Sequence, residues 1–117
     1  MKLDEQVAVT VSALEDIKAR NIVVLDTTGL TFLFDRVIIA SAESTRQTKA
    51  LSRRVQEKIK AAGGKVYGVE GEQSGEWILL DLGDVVLHIM QPAVREYYDL
   101  EQLWAPESST RVRASIH

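Results

Sequence analysis

The chain has 117 residues, of which 45% are apolar and 26% are charged, and its formal net charge at pH 7 is −3. These values are typical of a soluble globular protein of one domain, and the acidic balance argues against a general nucleic-acid binder that relies on phosphate neutralisation. There is no cysteine, which leaves no disulfide and no thiolate metal site, and no apolar run long enough to span a membrane. Acidic residues interrupt the segment 1–21 where a signal peptide requires a continuous apolar stretch, so the sequence predicts a cytoplasmic protein.

The first part of the chain predicts one helix and then two strands. Apolar residues at helical spacing indicate a helix over residues 4–20, and Asp4 is suited to cap its amino terminus. Two short runs rich in β-branched residues, 22–25 and 36–40, indicate strands.

A second helix is predicted from residue 44 to about residue 62. Ser44 and Gln47 have the spacing of a capping box, and Gly63-Gly64 is a stop signal. The expected buried stripe is Thr48, Leu51, Val55 and Ile59. This helix is basic, whereas the segment 70–101 is acidic, and each is open to two interpretations, a solvated face or a contact surface for an oppositely charged partner.

The predicted hairpin of residues 76–90 gives a sheet two unlike faces. Gly83-Asp84 is a two-residue loop signal between two apolar runs, and a strand at 66–69 precedes the hairpin. Because side chains alternate along a strand, one face is wholly aliphatic and is expected to be core. The other, called the mixed face below, carries Trp77, Leu79, Asp81, Val86, His88 and Met90.

The remaining residues predict a short helix from Pro92 to about residue 98, a further turn at 100–104 and a flexible tail over 105–117. The order of elements predicts a single α/β (α+β) domain over residues 1–104, with a mixed sheet of about five strands flanked by helices. The strand at 66–69 follows a helix, which favours a parallel crossover from an earlier strand.

A search for catalytic chemistry finds no complete constellation. His88 has no second histidine or cysteine at ligand spacing, and Asp81 and Asp84 flank a loop, where acidic residues are common turn chemistry. His88 is therefore interpreted first as a contact residue, with a structural or a catalytic role as alternatives. The sequence favours a binding module without metal or cofactor.

Trp77 is the residue that the mixed face singles out. Tryptophan and tyrosine are enriched among interface hot spots, and Trp77 with its apolar neighbours would form a contact patch if exposed. The alternative is that a helix covers this face. Of the adjacent Tyr97 and Tyr98, we expect Tyr98 to be exposed.

Six segments carry a family resemblance. They read IVVLD at 22–26, DRVIIAS at 35–41, STRQTKA at 44–50, VEG at 69–71, WILLDLGDVVLH at 77–88 with Glu76 before it, and REYYDLEQLW at 95–104. In these segments the chain resembles the ribosomal silencing factor family, also called the Iojap-like family. Many members carry Arg-His where this chain has Arg46-Gln47, so that position lends no support to a histidine-dependent activity.

The resemblance implies a fold similar to nucleotidyltransferases without their catalytic motif, and a non-enzymatic repressor of translation. Such factors bind the large ribosomal subunit through its ribosomal protein number fourteen and block joining of the small subunit when nutrients are short. The family's binding surface corresponds in this chain to Trp77, Leu79, Asp81, Asp84, Val86, His88, Met90 and Tyr98.

Three further hypotheses about the function or the partners of the chain stay open. A nucleotidyltransferase-like, metal-dependent enzyme would use Asp26, Asp81 and Asp84. A homodimer of the free protein would pair two mixed faces. The basic helix at 44–62 leaves a minor contact with ribosomal RNA open.

Overall fold

The computed structural model describes residues 1–104 and 111–113. In chain order the elements are α1 (Leu3–Asp16), β1 (Arg20–Asp26), β2 (Arg36–Ser41), α2 (Thr45–Ala61), β3 (Gly68–Glu70), β4 (Trp77–Asp81), β5 (Val85–Met90), α3 (Pro92–Tyr98), α4 (Leu100–Trp104) and β6 (Arg111–Arg113). Among the helices of these residues, none has the length and apolar character needed to cross a membrane.

The strands form one mixed sheet in the order β3-β4-β5-β2-β1-β6. β2 and β5 pair in parallel and the other neighbours pair antiparallel. β3 therefore runs in the direction of β2, as predicted, although the β4–β5 hairpin lies between them. The mixed sheet with flanking helices confirms the predicted fold class. β6 lies inside the segment predicted as a tail, and the rest of 105–117 is outside the described residues.

One face of the sheet is covered by α1 and α2 and forms the main core. The predicted aliphatic face of the hairpin lies here, and each of its six side chains is at most 1% exposed. The stripe predicted for α2 is also buried, and the Gln47 amide donates to Ser44 Oγ at 3.1 Å, which confirms Ser44 as the N-cap.

α1 is shorter than its apolar spacing predicts. The N-cap is Lys2, which makes no side-chain capping hydrogen bond, and Asp4 lies within the first turn. The helix ends at Asp16, and Lys18 and Asn21 take positive φ values of 61° and 50°. The prediction of a helix to residue 20 with Asp4 as its cap is wrong because Ile17 still packs on the core after the helix has ended, which prolongs the helical pattern of apolar residues.

The opposite face of the sheet is covered only in part. α3 and α4 pack over β1 and β2 and over the far end of β5, where a second apolar cluster forms from Val23, Leu25, Val37, Ile39 and Met90. Phe34 and Trp104 close this cluster in an edge-to-face contact with ring centroids 5.1 Å apart. The hairpin strands beyond this cover are left partly open, and this is where the candidate site lies.

Candidate protein-binding surface

An open groove of about 510 Å³ runs beside the hairpin, and it is bordered by the β1–β2 loop and by α4. Its lining is mainly apolar, and we refer to it below as the groove. The residues lining it are Leu33, Phe34, Leu79, Asp81, Gly83, Val86, His88, Leu100, Leu103 and Trp104.

The hairpin register brings the mixed-face residues onto one side of the sheet. Leu79 pairs with His88, and Asp81 pairs with Val86. The predicted two-residue loop is confirmed, because the Leu82 amide donates to the Val85 carbonyl at 2.9 Å. Leu79, Asp81 and Val86 are half-buried, and Asp84 is exposed at the loop.

Trp77 is held in place by His88. The indole Nε1–H donates to His88 Nδ1 at 3.0 Å, so the hydrogen of the neutral imidazole lies on Nε2. His88 is only 8% exposed, which fits the structural alternative better than the contact role interpreted first, although it also lines the groove. Burial lowers its pKa to about 4. At neutral pH His88 therefore carries no charge, and Trp77 presents an apolar ring whose polar group is already satisfied.

Two tyrosines extend the surface past Trp77. The ring of Tyr98 lies 4.9 Å from that of Trp77, and the ring of Tyr97 lies 5.0 Å from that of Tyr98. Tyr98 is 55% exposed, as predicted, but Tyr97 is even more exposed, at 82%, so choosing Tyr98 as the exposed member of the pair was wrong. We call Trp77, Tyr97 and Tyr98 the aromatic row. Both tyrosines are exposed because α3 is a short helix whose one buried residue is Arg95.

Arg95 fixes the helix that carries this row. Its Nη1 donates to the Asn21 carbonyl at 2.6 Å and to Ser41 Oγ at 2.8 Å, and its Nε donates to Glu101 at 3.0 Å. One guanidinium thereby ties α3 to the sheet and to α4.

Met90 does not lie on the surface, which corrects the sequence-based expectation. Its side chain is 0% exposed and belongs to the second apolar cluster. It occupies the mixed face by register, opposite Trp77, but α3 and α4 cover that end of the hairpin. Met90 is therefore part of the buried cluster against which Trp77 packs.

Three exposed apolar residues were not predicted from the sequence. Leu33 in the β1–β2 loop and Leu103 in α4 line the groove, and Phe32 precedes Leu33 in the loop; their exposed fractions are 84%, 66% and 107%. The available signal was the apolar run Phe32-Leu33-Phe34 between two predicted strands. Only the fold shows that Phe34 turns inward while its two predecessors do not.

The structure does not assemble the carboxylates of the enzymatic alternative. Asp26 ends β1 and Asp81 ends β4, and β2 and β5 lie between these strands. Asp26 accepts from the Thr28 amide, which lowers its pKa, and it pairs with Arg36 at 3.0 Å. Among the described residues, no group of three or more acidic, histidine or cysteine side chains could hold a metal ion.

Comparison with known proteins gives consistent matches over most of the chain. The family model described as "Ribosomal silencing factor during starvation" matches residues 1–116. A ribosomal silencing factor from Chromobacterium violaceum is 54% identical over 104 residues, which cover 89% of this chain and 85% of that protein. The chain belongs to the ribosomal silencing factor family.

Two further comparisons extend the relationship. A crystal structure of a Chromobacterium violaceum protein has a TM-score of 0.89 at 51% identity and covers 94% of this chain and 92% of its own. A mouse protein named "Mitochondrial assembly of ribosomal large subunit protein 1" is 32% identical over 101 residues, which cover 84% of this chain and 44% of the mouse protein. The family is one of translation regulation and large-subunit association. Two of the segments that suggested the silencing factor family, 77–88 and 95–104, carry most of the groove and the aromatic row.

Proposed function

We propose that this silencing factor binds the large ribosomal subunit through ribosomal protein number fourteen and blocks joining of the small subunit. The observation that carries the proposal is the half-buried Trp77, which His88 fixes at the edge of the covering helices, beside an apolar groove that those helices leave open. An anchor held by His88 and flanked by Tyr98 loses little side-chain entropy on binding, which is the character of a hot spot.

The names of the relatives support the large subunit as the partner. The bacterial relatives are called ribosomal silencing factors, and the mouse relative is named for assembly of the large subunit. The acidic groups at the hairpin, Asp81 and Asp84, suit a basic ribosomal protein, since complementary charge raises the association rate and selects partners.

The proposed mechanism is steric occlusion. The smallest overall dimension of the protein is 24 Å. A contact of standard size, roughly 800 Å² on each partner, would hold such a body on the subunit-joining surface. Ribosomal subunits must contact each other directly there, so occupancy competes with joining, and no chemical step is required. We accordingly propose a cytoplasmic, non-enzymatic regulator without cofactor.

The direct test is sucrose-gradient sedimentation of purified large and small subunits under joining conditions, with and without the protein. We expect the protein to migrate with the large subunit and to reduce the fraction of joined ribosomes. Trp77→Ala should remain folded and lose binding by a factor of about 30, corresponding to a central anchor worth roughly 2 kcal/mol.

Ser12→Ala is the control. Ser12 is exposed on α1, which covers the face of the sheet opposite the groove. It should bind like the unmodified protein. Normal binding by a folded Trp77→Ala variant would contradict the assignment of this face.

A minor contact of α2 with ribosomal RNA remains a separate proposal that rests on charge. Arg46, Arg53 and Lys60 are exposed on α2, which packs on the face of the sheet opposite the groove. Replacing Arg46 and Arg53 by Glu should weaken subunit binding severalfold at low salt and have little effect at high salt. If the variant binds as tightly as the unmodified protein at both salt concentrations, this contact is excluded.

A further inference from the structure

The loop between β1 and β2 presents an unusual apolar tip to solvent. Phe32 and Leu33 are almost fully exposed, and Leu33 lines the groove together with Leu103 of α4. We call Phe32, Leu33 and Leu103 the apolar lip. Adjacent large apolar side chains that stay in water mark an interaction site more often than a solvated surface.

The base of this loop is held firmly by hydrogen bonds. The Thr27 amide donates to the Asp35 carbonyl at 3.0 Å, and Thr27 Oγ1 donates to the Phe34 carbonyl at 3.1 Å. The amides of Asp35 and Arg36 both donate to the Asp84 carbonyl, at 2.8 and 3.1 Å, which ties the loop to the tip of the hairpin. The lip is therefore presented from a fixed base, which reduces the entropy lost when a partner binds.

The charges around the groove favour one type of occupant. Asp81 is the acidic residue of its lining, whereas burial keeps His88 neutral at neutral pH by lowering its pKa. Asp84 is exposed at the adjoining loop, and the nearby guanidinium of Arg36 is paired with Asp26 at 3.0 Å. An apolar groove with an acidic edge is complementary to an apolar side chain carried on a basic segment. A second copy of this chain, with net charge −3, is a poorer electrostatic match.

We propose that the apolar lip is a third part of the ribosome-binding surface, and that the groove receives an apolar side chain from a basic segment of the ribosomal protein. This inference rests on the proposed function and adds a loop that lies outside the hairpin and the following helix. In the proposed complex, Phe32 and Leu33 pack against the ribosomal protein, while Asp81 and Asp84 face the positive charges of that protein.

The test compares loop variants of the full chain by real-time binding to immobilised large subunits. Phe32→Ser and Leu33→Ser should each weaken binding about tenfold or more, mainly through faster dissociation. Phe32→Leu keeps an apolar side chain and should stay within about threefold of the unmodified protein. Ala8→Ser alters an exposed residue of α1, on the face of the sheet opposite the groove, and should have no effect. Because these side chains are exposed, the thermal midpoints should agree within about 2 °C.

The outcomes separate this inference from the proposed function. If the unmodified protein binds and both serine variants bind equally well, the lip is refuted and the proposed function stands. If the unmodified protein does not bind large subunits, both proposals fail. Light scattering gives a third outcome: serine variants that lose self-association but keep subunit binding would assign the lip to a homodimer and overturn the inference.

Discussion

Protonation of His88 should destabilise the fold at mildly acidic pH. His88 is buried, accepts a hydrogen bond from Trp77 through Nδ1, and has a pKa lowered from 6.5 to about 4 by burial. As the pH falls, the unfolded chain takes up this proton first. The stabilisation that depends on neutral His88 is therefore complete above about pH 6.5 and is lost progressively as the pH falls toward 4.

The size of the effect follows from the difference between the two pKa values. A difference of about 2.5 units corresponds to roughly 3 kcal/mol in total, at 1.36 kcal/mol per unit. Integrating between pH 7.5 and pH 5.0 gives a loss of about 2 kcal/mol from this one group. Asp26 also has a lowered pKa, but its contribution is lost only below its ordinary value of 3.8, outside this pH window.

Urea unfolding followed by circular dichroism, at pH 7.5 and at pH 5.0, measures this loss. The matched control is His88→Asn, which does not titrate and keeps an acceptor near the position of Nδ1. The other ionisable groups are shared by both proteins, so the difference between their pH dependences isolates His88. Low protein concentrations are advisable, because the sequence isoelectric point is about 5.4.

The unmodified protein should lose about 2 kcal/mol more than His88→Asn between the two pH values, with an unchanged denaturant slope. Equal losses in the two proteins would refute the reasoning, because they would show that His88 titrates in the folded state as it does in the unfolded chain.

Three further substitutions test the supports of the site. Ser44→Ala removes the cap of α2 and should lower the free energy of unfolding by about 1 kcal/mol in urea titrations, whereas Ser12→Ala on the exposed side of α1 should change it little. Gly71→Ala should destabilise the fold and weaken subunit binding, because Gly71 has a φ of 87° and an added Cβ would clash with the Trp77 carbonyl. Normal stability and normal binding of this variant would contradict the prediction. Arg95→Met removes the donor that reaches the Asn21 carbonyl and Glu101, and it should lower the free energy of unfolding by roughly 3 kcal/mol, measured by thermal unfolding. A variant of normal stability would show that other contacts hold α3 in place.

The hairpin shows why much of the site was predictable from sequence. Alternation of side chains and a two-residue loop at Gly83-Asp84 fix which residues share a face, whatever covers that face later. This local rule correctly placed the aliphatic face in the core and grouped Trp77 with His88. The cap at Ser44 was predictable for the same reason, because a capping bond spans only three residues.

Met90 and the apolar lip show where local rules end. Met90 shares a face with Trp77, but its burial depends on α3 and α4 returning across that end of the sheet. Phe32 and Phe34 are two residues apart in one loop, but Phe34 is covered because it packs on Trp104 and on the second apolar cluster, contacts that form only in the fold. The end of α1 was misplaced because packing of Ile17 on the core prolongs the helical pattern beyond the helix.

The sequence by itself therefore determined the family, the order of most elements and the two faces of the hairpin, because each depends on residues close together in the chain. Only the tertiary structure decided which part of the mixed face stays open, that His88 holds Trp77, and that a distant loop borders the groove. Those features depend on contacts such as Trp77 with His88 and Asp35 with Asp84, which form when separate elements pack together.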